Sequence, residues 1–419
     1  MIDNRFYTAI TLSLVILASA LSGCFGDEDD DSKPGWQWPA KEDYGCNINE
    51  SSGLICEPYG YFESTPILTL DNPLDDSIWF LTQDGIITKF SGDSTVNHLN
   101  NSSTEIVGDL SQIVSRCHNE QGLLGMTFTE EYATNGRILL VYTENNTCDN
   151  AKDSNVVLAH ATVTDDKINM DSIEVLIEVK KLNRNHNGGN VLSIGNNQYI
   201  WSIGDGGGSY DPYDNGQNKS SALGTIQLVN YVNGEIIPPE NDSTNKSTTL
   251  HYGLRNPFRM DVDPSGNLWI ADVGQLCYEE VNMVPVLQSS NFGWSEREGF
   301  HDLSSEECYE NTSAENLEFT DPIIEYSHEF HCSIIGGFWM DWGPEVLRDG
   351  YIYGDFCSGM VWKISNMDGT WTTQEIGALG TMIVGFGKGI NGELLVFSWP
   401  GQVFPVSYTH LTLPTKNEV

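Results

Sequence analysis

The feature that most limits how this chain can fold is a short β unit that recurs six times. Each unit contains a Gly or Asn turn, a strand of aromatic and aliphatic residues, a polar or glycine break and, in most copies, a second strand. Six such units over roughly 340 residues predict an all-β protein, a six-bladed β-propeller. The copies lie at 76–90, 135–161, 185–211, 265–272, 348–364 and 391–406.

The rest of the chain supports a single propeller. Strong amphipathic helices are scarce, whereas a doubly wound α/β fold would need one after nearly every strand. We assign residues 61–406 to the propeller and expect the long inserts 230–249 and 297–321 to be surface loops. Residues 407–419 follow the last predicted strand with no partner left to pair, so we expect a non-native tail there. A genuine extra strand that closes the ring is the alternative.

The first residues indicate export from the cytoplasm. Arg5 precedes an apolar run at 6–20 that is too short to span a bilayer comfortably. The run ends in Leu-Ser-Gly-Cys24, which resembles a lipoprotein signal cleaved before a lipidated cysteine. We expect a signal peptide over 1–23, an acidic tether and lead-in over 24–60, and an extracytoplasmic protein that meets the membrane only through its lipid anchor. A plain secretory signal with an incidental cysteine is the alternative.

The charge balance narrows the class of partner. Lys and Arg number 20 against 59 Asp and Glu, for a formal net charge of -39. Such a surface repels nucleic acid and anionic membranes, and no basic run with interleaved aromatic residues argues otherwise. We therefore expect no nucleic-acid partner, and the sequence leaves the oligomeric state open.

The cysteine count indicates structural disulfides. Without Cys24 the nine cysteines become eight, an even number for an oxidising compartment, and none has the CxxC spacing of a zinc or redox site. Two pairs are local in sequence, and the connectivity of the other four cysteines is not fixed by the sequence. The pairs we favour are Cys46–Cys56, Cys117–Cys148, Cys277–Cys308 and Cys332–Cys357.

The third unit carries the candidate chemistry. Two β-rich runs flank a Gly-Asn-Asn turn centred near Asn197, which predicts a β-hairpin. Strand pairing would return His186 and Asp205 to the same end of this hairpin, and nearby glycines would let a ligand approach the backbone. A histidine beside a carboxylate is the minimal general base with its orienting partner. The alternative is a His–Asp pair that only fastens a loop.

A series of short motifs spans the propeller in a fixed order. They are Asn-Glu-Gln-Gly-Leu-Leu-Gly at 119–125, Asn-His-Asn-Gly-Gly at 185–189, Gly-Asp-Gly-Gly at 204–207, Gly-Leu-Arg-Asn-Pro-Phe-Arg at 253–259, Asp-Val-Gly-Gln at 272–275, Glu-Glu-Val-Asn at 279–282, Asn-Phe-Gly-Trp at 291–294 and Gly-Asp-Phe-Cys-Ser-Gly at 354–359. In this order the chain resembles the glucose/sorbosone dehydrogenase family, the PQQ-type soluble aldose dehydrogenases. That group also includes the propeller of hedgehog-interacting protein.

The resemblance implies a redox reaction on a sugar. The family oxidises an aldose at its anomeric carbon, with hydride passing to C5 of PQQ. By motif, His186 would be the general base and Asp205 would hold its imidazole. Arg255 would stabilise negative charge that develops on the quinone oxygens.

The resemblance also implies where the cofactors would bind. Asn256 would lie against the quinone beside the arginine, and Glu120 or Gln121 would face the same pocket. The backbone carbonyls of Gly274 and Gln275 match the place where the family holds Ca²⁺ against PQQ, and hard oxygen ligands suit that ion.

Part of the family's cofactor clamp is missing from this sequence. The soluble glucose dehydrogenases hold the tricarboxylate PQQ with basic residues from the last blades, yet residues 381–386 contain none and Cys357 stands where a lysine would help. The family's Leu-Gly-Lys-x-Leu-Arg run appears at 223–228 without its cations. Because a buried trianion needs compensating charge, a non-catalytic propeller that binds a carbohydrate or a protein is the alternative function. A calcium-using propeller hydrolase is a weaker one, since no extra acidic cluster indicates it.

Overall fold

The structure, a computed structural model, describes most of the chain beyond its first 45 residues. The described residues are 46–48, 54–56, 59–92, 104–144, 148, 154–240, 245–303 and 318–408. Apart from the short helix α1 (Tyr132–Asn135) and a 3₁₀ turn (Glu345–Leu347), their regular elements are β-strands. Within these ranges, no helix is long and apolar enough to cross a membrane.

The strands form three short N-terminal pieces and six antiparallel blades. The short pieces are β1 (Cys46–Ile48), β2 (Leu54–Cys56) and β3 (Gly60–Tyr61). Blade 1 contains β4 (Pro66–Asp71), β5 (Ile78–Thr82), β6 (Ile86–Phe90) and β7 (Thr104–Asp109). Blade 2 contains β8 (Leu123–Phe128), β9 (Arg137–Thr143), β10 (Ser154–Thr164) and β11 (Lys167–Lys181). Blade 3 contains β12 (Val191–Gly195), β13 (Gln198–Ile203), β14 (Thr225–Val232), β15 (Glu235–Ile237) and β16 (Thr248–Tyr252).

The second half of the chain supplies the other three blades. Blade 4 contains β17 (Pro257–Val262), β18 (Asn267–Asp272), β19 (Tyr278–Pro285) and, after the small hairpin of β20 (Arg297–Glu298) and β21 (His301–Asp302), β22 (Ile324–Ser327). Blade 5 contains β23 (Ile334–Trp339), β24 (Tyr351–Asp355), β25 (Met360–Met367) and β26 (Thr370–Leu379). Blade 6 contains β27 (Ile383–Lys388), β28 (Leu394–Ser398) and β29 (Gln402–Tyr408).

The blades are arranged in a ring. The first strands of successive blades contact one another from β4 through β8 to β12 and from β17 through β23 to β27, and β13 contacts β17. The ring closes where Leu68 of β4 pairs in parallel with Phe386 of β27. The prediction of an all-β, six-bladed propeller is therefore confirmed.

The N-terminal pieces extend the outer edges of the last two blades. Strand β1 pairs with β26, and both β2 and β3 pair with β29. Leu54 and Ile55 of β2 lie opposite Tyr408 and Ser407. Residues 407 and 408 thus have a partner strand, which the lead-in supplies, and the assignment of 407–419 as a non-native tail stays a prediction. Residues 409–419 lie outside the described residues.

Three tryptophans lie in the core between the blades. Trp79, Trp201 and Trp269 lie on the second strands of blades 1, 3 and 4, and each is 0 % exposed. Both faces of these strands are covered by neighbouring blades, so the strands are near-continuous apolar runs rather than alternating ones. Trp79 and Trp269 pack against the blade that follows, and Trp201 packs against the blade that precedes it. One such indole buries about 150–250 Å².

Disulfides are present at the predicted positions wherever both cysteine side chains of a predicted pair are described. Cys117–Cys148 and Cys332–Cys357 have Cα–Cα distances of 5.3 and 5.7 Å. Cys277 is also disulfide-bonded. Disulfides are typical of proteins that fold outside the cytoplasm, and they indicate an extracytoplasmic protein. The cysteine side chains that lie outside the described residues are those of Cys24, Cys46, Cys56 and Cys308.

Candidate functional site

Topology gathers the predicted site residues at one rim of the ring. In an antiparallel blade, the start of the first strand and the end of the second strand lie at the same end. Glu120 stands just before β8, His186 before β12 and Arg255 before β17. Asp205 follows β13 and Gly274 follows β18, so blades 2, 3 and 4 all contribute to this rim.

The hairpin of blade 3 brings the predicted base and its partner together. Asn196 and Asn197 both have φ of 57°, as the two-residue turn of a tight hairpin requires. The strands pair from this turn back to Val191 opposite Trp201. His186 Nδ1 then lies 2.7 Å from Asp205 Oδ1, which confirms the predicted proximity. A Cβ on Gly204 would come within 2.3 Å of the His186 carbonyl oxygen, so only glycine permits this approach.

The carboxylate of Asp205 is fully enclosed by donors. It is 1 % exposed; Oδ1 also accepts the Gly207 N–H at 2.8 Å, and Oδ2 accepts the Trp294 Nε1–H at 2.9 Å. Burial, the largest influence, raises the pKa of Asp205, but the charge and hydrogen bond of His186, the Arg255 charge and the Gly207 N–H together lower it below its ordinary value. An ionised Asp205 can only accept, so His186 Nδ1 carries the proton that they share.

The other ring nitrogen of His186 is available for chemistry. Within the described residues His186 Nε2 makes no hydrogen bond, and with the proton on Nδ1 it presents a lone pair. The backbone of His186 has φ of 52°, a left-handed conformation that costs a residue with a Cβ about 1–2 kcal/mol. Neighbouring contacts hold this loop, including the hydrogen bond at 3.0 Å from the Gly188 N–H to Asn256 Oδ1. Asn256 thus supports the histidine loop.

Arg255 is buried beside the His–Asp pair. Its Nη1 donates to the Val273 carbonyl at 3.0 Å, and its Nε lies 3.4 Å from Gln275 Oε1. Its Cζ lies 5.5 Å from the ring centroid of Trp294, the same indole that donates to Asp205. Among the described residues, its Nη2 makes no hydrogen bond, so this buried cation retains donors for a ligand.

The structure distinguishes Glu120 from Gln121. Glu120 Oε2 accepts the backbone N–H of His186 at 2.7 Å, so the glutamate belongs to the site. Gln121 is 1 % exposed, and its Oε1 accepts from the Ser115 hydroxyl at 2.9 Å. Of the two alternatives, Glu120 is therefore the residue that reaches the histidine.

A single carboxylate shapes the loop with the predicted calcium ligands. Glu298 Oε1 accepts four consecutive backbone N–H groups at 2.6–3.2 Å, those of residues 275–278. A loop whose N–H groups converge on one oxygen forms an anion-binding nest and turns its carbonyls away from it. In the described part of the chain, the carbonyls of Gly274 and Gln275 accept no hydrogen bond, which leaves hard oxygen ligands for a cation.

Buried acids surround a small cavity under this loop. Its lining includes Asp272, Glu280, Arg297 and Glu298. Burial, with the neighbouring Glu280 charge, raises the pKa of Asp272 well above its ordinary value, and burial raises the pKa of Glu280 to about 7. Within the described residues, no group of three or more His, Cys, Asp or Glu side chains could hold a metal ion. A cation here would therefore depend on backbone oxygens.

The positive charge at this rim lies on blades 2 to 4 rather than on the last blades. Lys181 and Arg184 lie on the segment that leads to His186, and their charges act on His118 nearby. Burial lowers the pKa of Lys181 to about 7. Cys357 is bonded to Cys332, so its side chain is not available to a ligand. Residues 381–386 add no cation to this rim.

Three residues that shape the site were not predicted from the sequence. Trp294 lies in one of the ordered motifs, yet its contact with Asp205, 89 positions away, depends on how the loops of blades 3 and 4 pack together. Glu298 follows that motif within a predicted surface insert. Lys181 is the last residue of β11 and carries no local signal at all.

The chain is a ring of six blades with a buried His–Asp pair and an arginine at one rim, and sequence comparison shows the family to which it belongs. Residues 70–365 match the family described as glucose/sorbosone dehydrogenase. The chain belongs to this family. The recognition made from the ordered motifs is confirmed.

Individual relatives fall into two groups. The chain is 33% identical over 207 residues to the HIPL1 protein of Arabidopsis thaliana. This match covers 42% of this chain and 29% of the HIPL1 protein. The matches span less than half the length of each curated relative compared. Among solved structures, the apo soluble aldose sugar dehydrogenase of Escherichia coli has a TM-score of 0.67 at 19% identity, over 85% of this chain and 100% of that one. The PQQ-bound aldose sugar dehydrogenase of Streptomyces coelicolor has a TM-score of 0.59 at 15% identity, over 84% and 98%.

Proposed function

We propose that this protein is a sugar dehydrogenase that oxidises an aldose at its anomeric carbon and uses PQQ and Ca²⁺. The observation that carries the proposal is the state of His186. Its Nδ1 is fixed by an ionised, buried Asp205 at 2.7 Å, and its Nε2 makes no hydrogen bond within the described residues. A general base needs this arrangement, and a structural His–Asp pair has no need of a vacant nitrogen beside a buried arginine.

The residues divide the chemical task between them. When bound, PQQ supplies the two-electron acceptor for the hydride that leaves C1 of the sugar. His186 Nε2 takes the proton of the C1 hydroxyl as that oxygen forms its second bond to carbon, which yields the lactone. Asp205 holds the imidazole in the correct tautomer and stabilises the imidazolium that results. Arg255, buried and with donors unused, stabilises negative charge next to the histidine.

The donors at the rim fit an anionic, oxygen-rich cofactor with a hard cation. Arg255 Nη2 would meet a carboxylate or quinone oxygen, and the carbonyls of Gly274 and Gln275 would coordinate calcium. The relative from Streptomyces coelicolor is PQQ-bound in its solved structure. The basic residues with which the family's last blades hold PQQ are absent at 381–386. We therefore expect weaker PQQ binding than in a relative that has them.

A binding propeller without catalysis is the second candidate. Residues 381–386, which begin the first strand of blade 6 at the same rim, contain no cation. The ordered motifs also resemble the propeller of hedgehog-interacting protein, and the chain is 33% identical to the HIPL1 protein over 207 residues. This function would use the same rim to hold a carbohydrate or protein ligand.

Three substitutions measured side by side test the proposal. We expect His186→Ala to lower turnover by about 10²–10⁴-fold with PQQ affinity nearly unchanged, because only the proton acceptor is lost. Arg255→Ala should lower both turnover and PQQ affinity, since it removes a cation that faces the cofactor. Arg348→Ala, an exposed arginine in blade 5, is the matched control and should change neither. If the parent binds PQQ and calcium yet oxidises no aldose, the dehydrogenase is rejected in favour of the binding propeller.

A further inference from the structure

One peptide unit of the site is held from both sides by side chains of opposite charge. This is the peptide that joins Asn185 to His186. Its N–H donates to Glu120 Oε2 at 2.7 Å, and its carbonyl accepts a short hydrogen bond from Lys181 Nζ. Glu120 lies in the loop before β8 and Lys181 lies at the end of β11, so two separate elements of blade 2 hold the Asn185–His186 peptide.

The lysine of this pair is buried and makes no salt bridge within the described residues. Lys181 is 3 % exposed, and among the described residues its amine makes no salt bridge and one hydrogen bond, the one to Asn185. The charges that act on it are those of Glu120 and Asp205, and its own charge acts on His118. Burying an ammonium group with so little compensation is unfavourable, and the hydrogen bond to the Asn185 carbonyl offsets part of this cost.

The gripped peptide precedes a strained residue. His186 has φ of 52°, and a non-glycine residue stays in the left-handed region only where its surroundings determine it. The adjacent Asn187 side chain adds hydrogen bonds to the carbonyls of Glu120 and Arg184 at 3.1 and 3.0 Å. Fixing the orientation of the peptide before His186 fixes ψ of residue 185 and φ of residue 186, and therefore the direction of the imidazole.

We propose that Lys181 and Glu120 form a clamp on the Asn185–His186 peptide that positions His186 for proton transfer. Lys181 is thus a positioning residue that touches neither substrate nor cofactor. Its catalytic consequence rests on the proposed dehydrogenase function, whereas the clamp itself can be measured in the ligand-free protein. Loss of the clamp should displace the base without removing it, and a displacement of about 1 Å can lower turnover by up to about 10²-fold.

The test combines hydrogen exchange with steady-state kinetics on the full-length protein. In Lys181→Met, which keeps the length of the side chain, we expect amide exchange in the peptide 182–190 to be about 10-fold faster. With PQQ and calcium bound, kcat should fall about 10-fold and KM should change less than about twofold, because positioning rather than sugar binding is affected. Glu120→Ala should accelerate exchange in the same peptide, and Glu120→Gln, which retains an acceptor oxygen, should largely preserve protection.

Lys363→Met is the matched control. Lys363 is also buried, and its amine donates to the carbonyls of Val346 and Arg348 at 3.2 and 2.6 Å in blade 5. This variant should leave exchange at 182–190 and the kinetics unchanged. Unaltered exchange at 182–190 in Lys181→Met would overturn the clamp, whatever the activity. Faster exchange in a protein that oxidises no aldose would support the clamp and reject the proposed function instead.

Discussion

The hydrogen bonds of Asp205 allow a sharp test of its role. Asp205→Asn keeps the shape of the side chain but replaces one acceptor with an NH₂ group. If the introduced oxygen faces His186 Nδ1 and the Gly207 N–H, the new NH₂ points at the Trp294 Nε1–H. If the amide flips, the NH₂ opposes the Gly207 N–H and forces the imidazole into the wrong tautomer. Either orientation places two donors against each other in a buried site.

The magnitude follows from the unpaired groups. Each buried donor without an acceptor costs about 1–3 kcal/mol, so Asp205→Asn should lower the free energy of unfolding by about 2–4 kcal/mol. Trp294→Phe alone leaves Oδ2 of Asp205 without its donor and should cost about 1–3 kcal/mol. In the double variant the introduced NH₂ no longer meets a donor, so the oxygen can stay on the histidine side. The two costs should then be less than additive by about 1–3 kcal/mol.

Urea unfolding of the four proteins in this cycle measures the coupling without any cofactor. Turnover should follow the same pattern: Asp205→Asn should lose about 10–10²-fold, less than His186→Ala, and the double variant should recover part of that loss. His160→Ala, at a buried histidine whose Nε2 lies 3.4 Å from Glu174 in blade 2, controls for loss of any such pair. Additive unfolding free energies would refute the assignment of Trp294 as a donor to Asp205.

Three other outcomes are expected. Burial lowers the pKa of His251 to about 4 from a usual 6.5, so between these pH values only the unfolded chain binds a proton at His251. The neutral histidine therefore contributes about 3 kcal/mol to the free energy of unfolding above pH 6.5, and this contribution is lost as the pH falls through 4. In urea unfolding measured at several pH values, His251→Gln should flatten this loss. Glu298→Gln should weaken calcium binding about 10–100-fold by calorimetry, because it disturbs the loop of Gly274 and Gln275, and unchanged affinity would contradict that role. Lipidation at Cys24 should appear as acyl groups in the mass spectrum of the membrane-bound protein, and a fully water-soluble product without them would refute it.

Much of the fold was predictable because it repeats. A unit of turn and apolar strand recurs whenever a blade does, and the second strands of blades 1, 3 and 4 each carry a buried indole, those of Trp79, Trp201 and Trp269. The pieces that were not predicted have no repeat to reveal them. Strands β1 and β2 are three residues each, lie in an aperiodic lead-in, and become strands only because the edges of blades 5 and 6 offer unpaired backbone groups.

The candidate site also combines residues whose positions were predictable from local sequence with residues whose positions were not. His186 and Asp205 belong to one hairpin, so their meeting follows from local pairing. Trp294 contacts Asp205 across 89 positions, between the loops of two neighbouring blades. Lys181 donates to the Asn185 carbonyl, four positions away, and neither residue type by itself predicts such a contact. Their parts in the site follow from distances rather than from residue type.

The most direct test of the central claim is aldose-dependent dye reduction by the purified protein, reconstituted with PQQ and calcium, beside His186→Ala. The account predicts turnover with at least one aldose by the parent. It also predicts a loss of about 10²–10⁴-fold in the variant, with PQQ absorbance retained by both. Equal turnover by the two proteins would contradict the assignment of His186 as the base, and a parent that binds PQQ but oxidises no aldose would contradict the dehydrogenase itself.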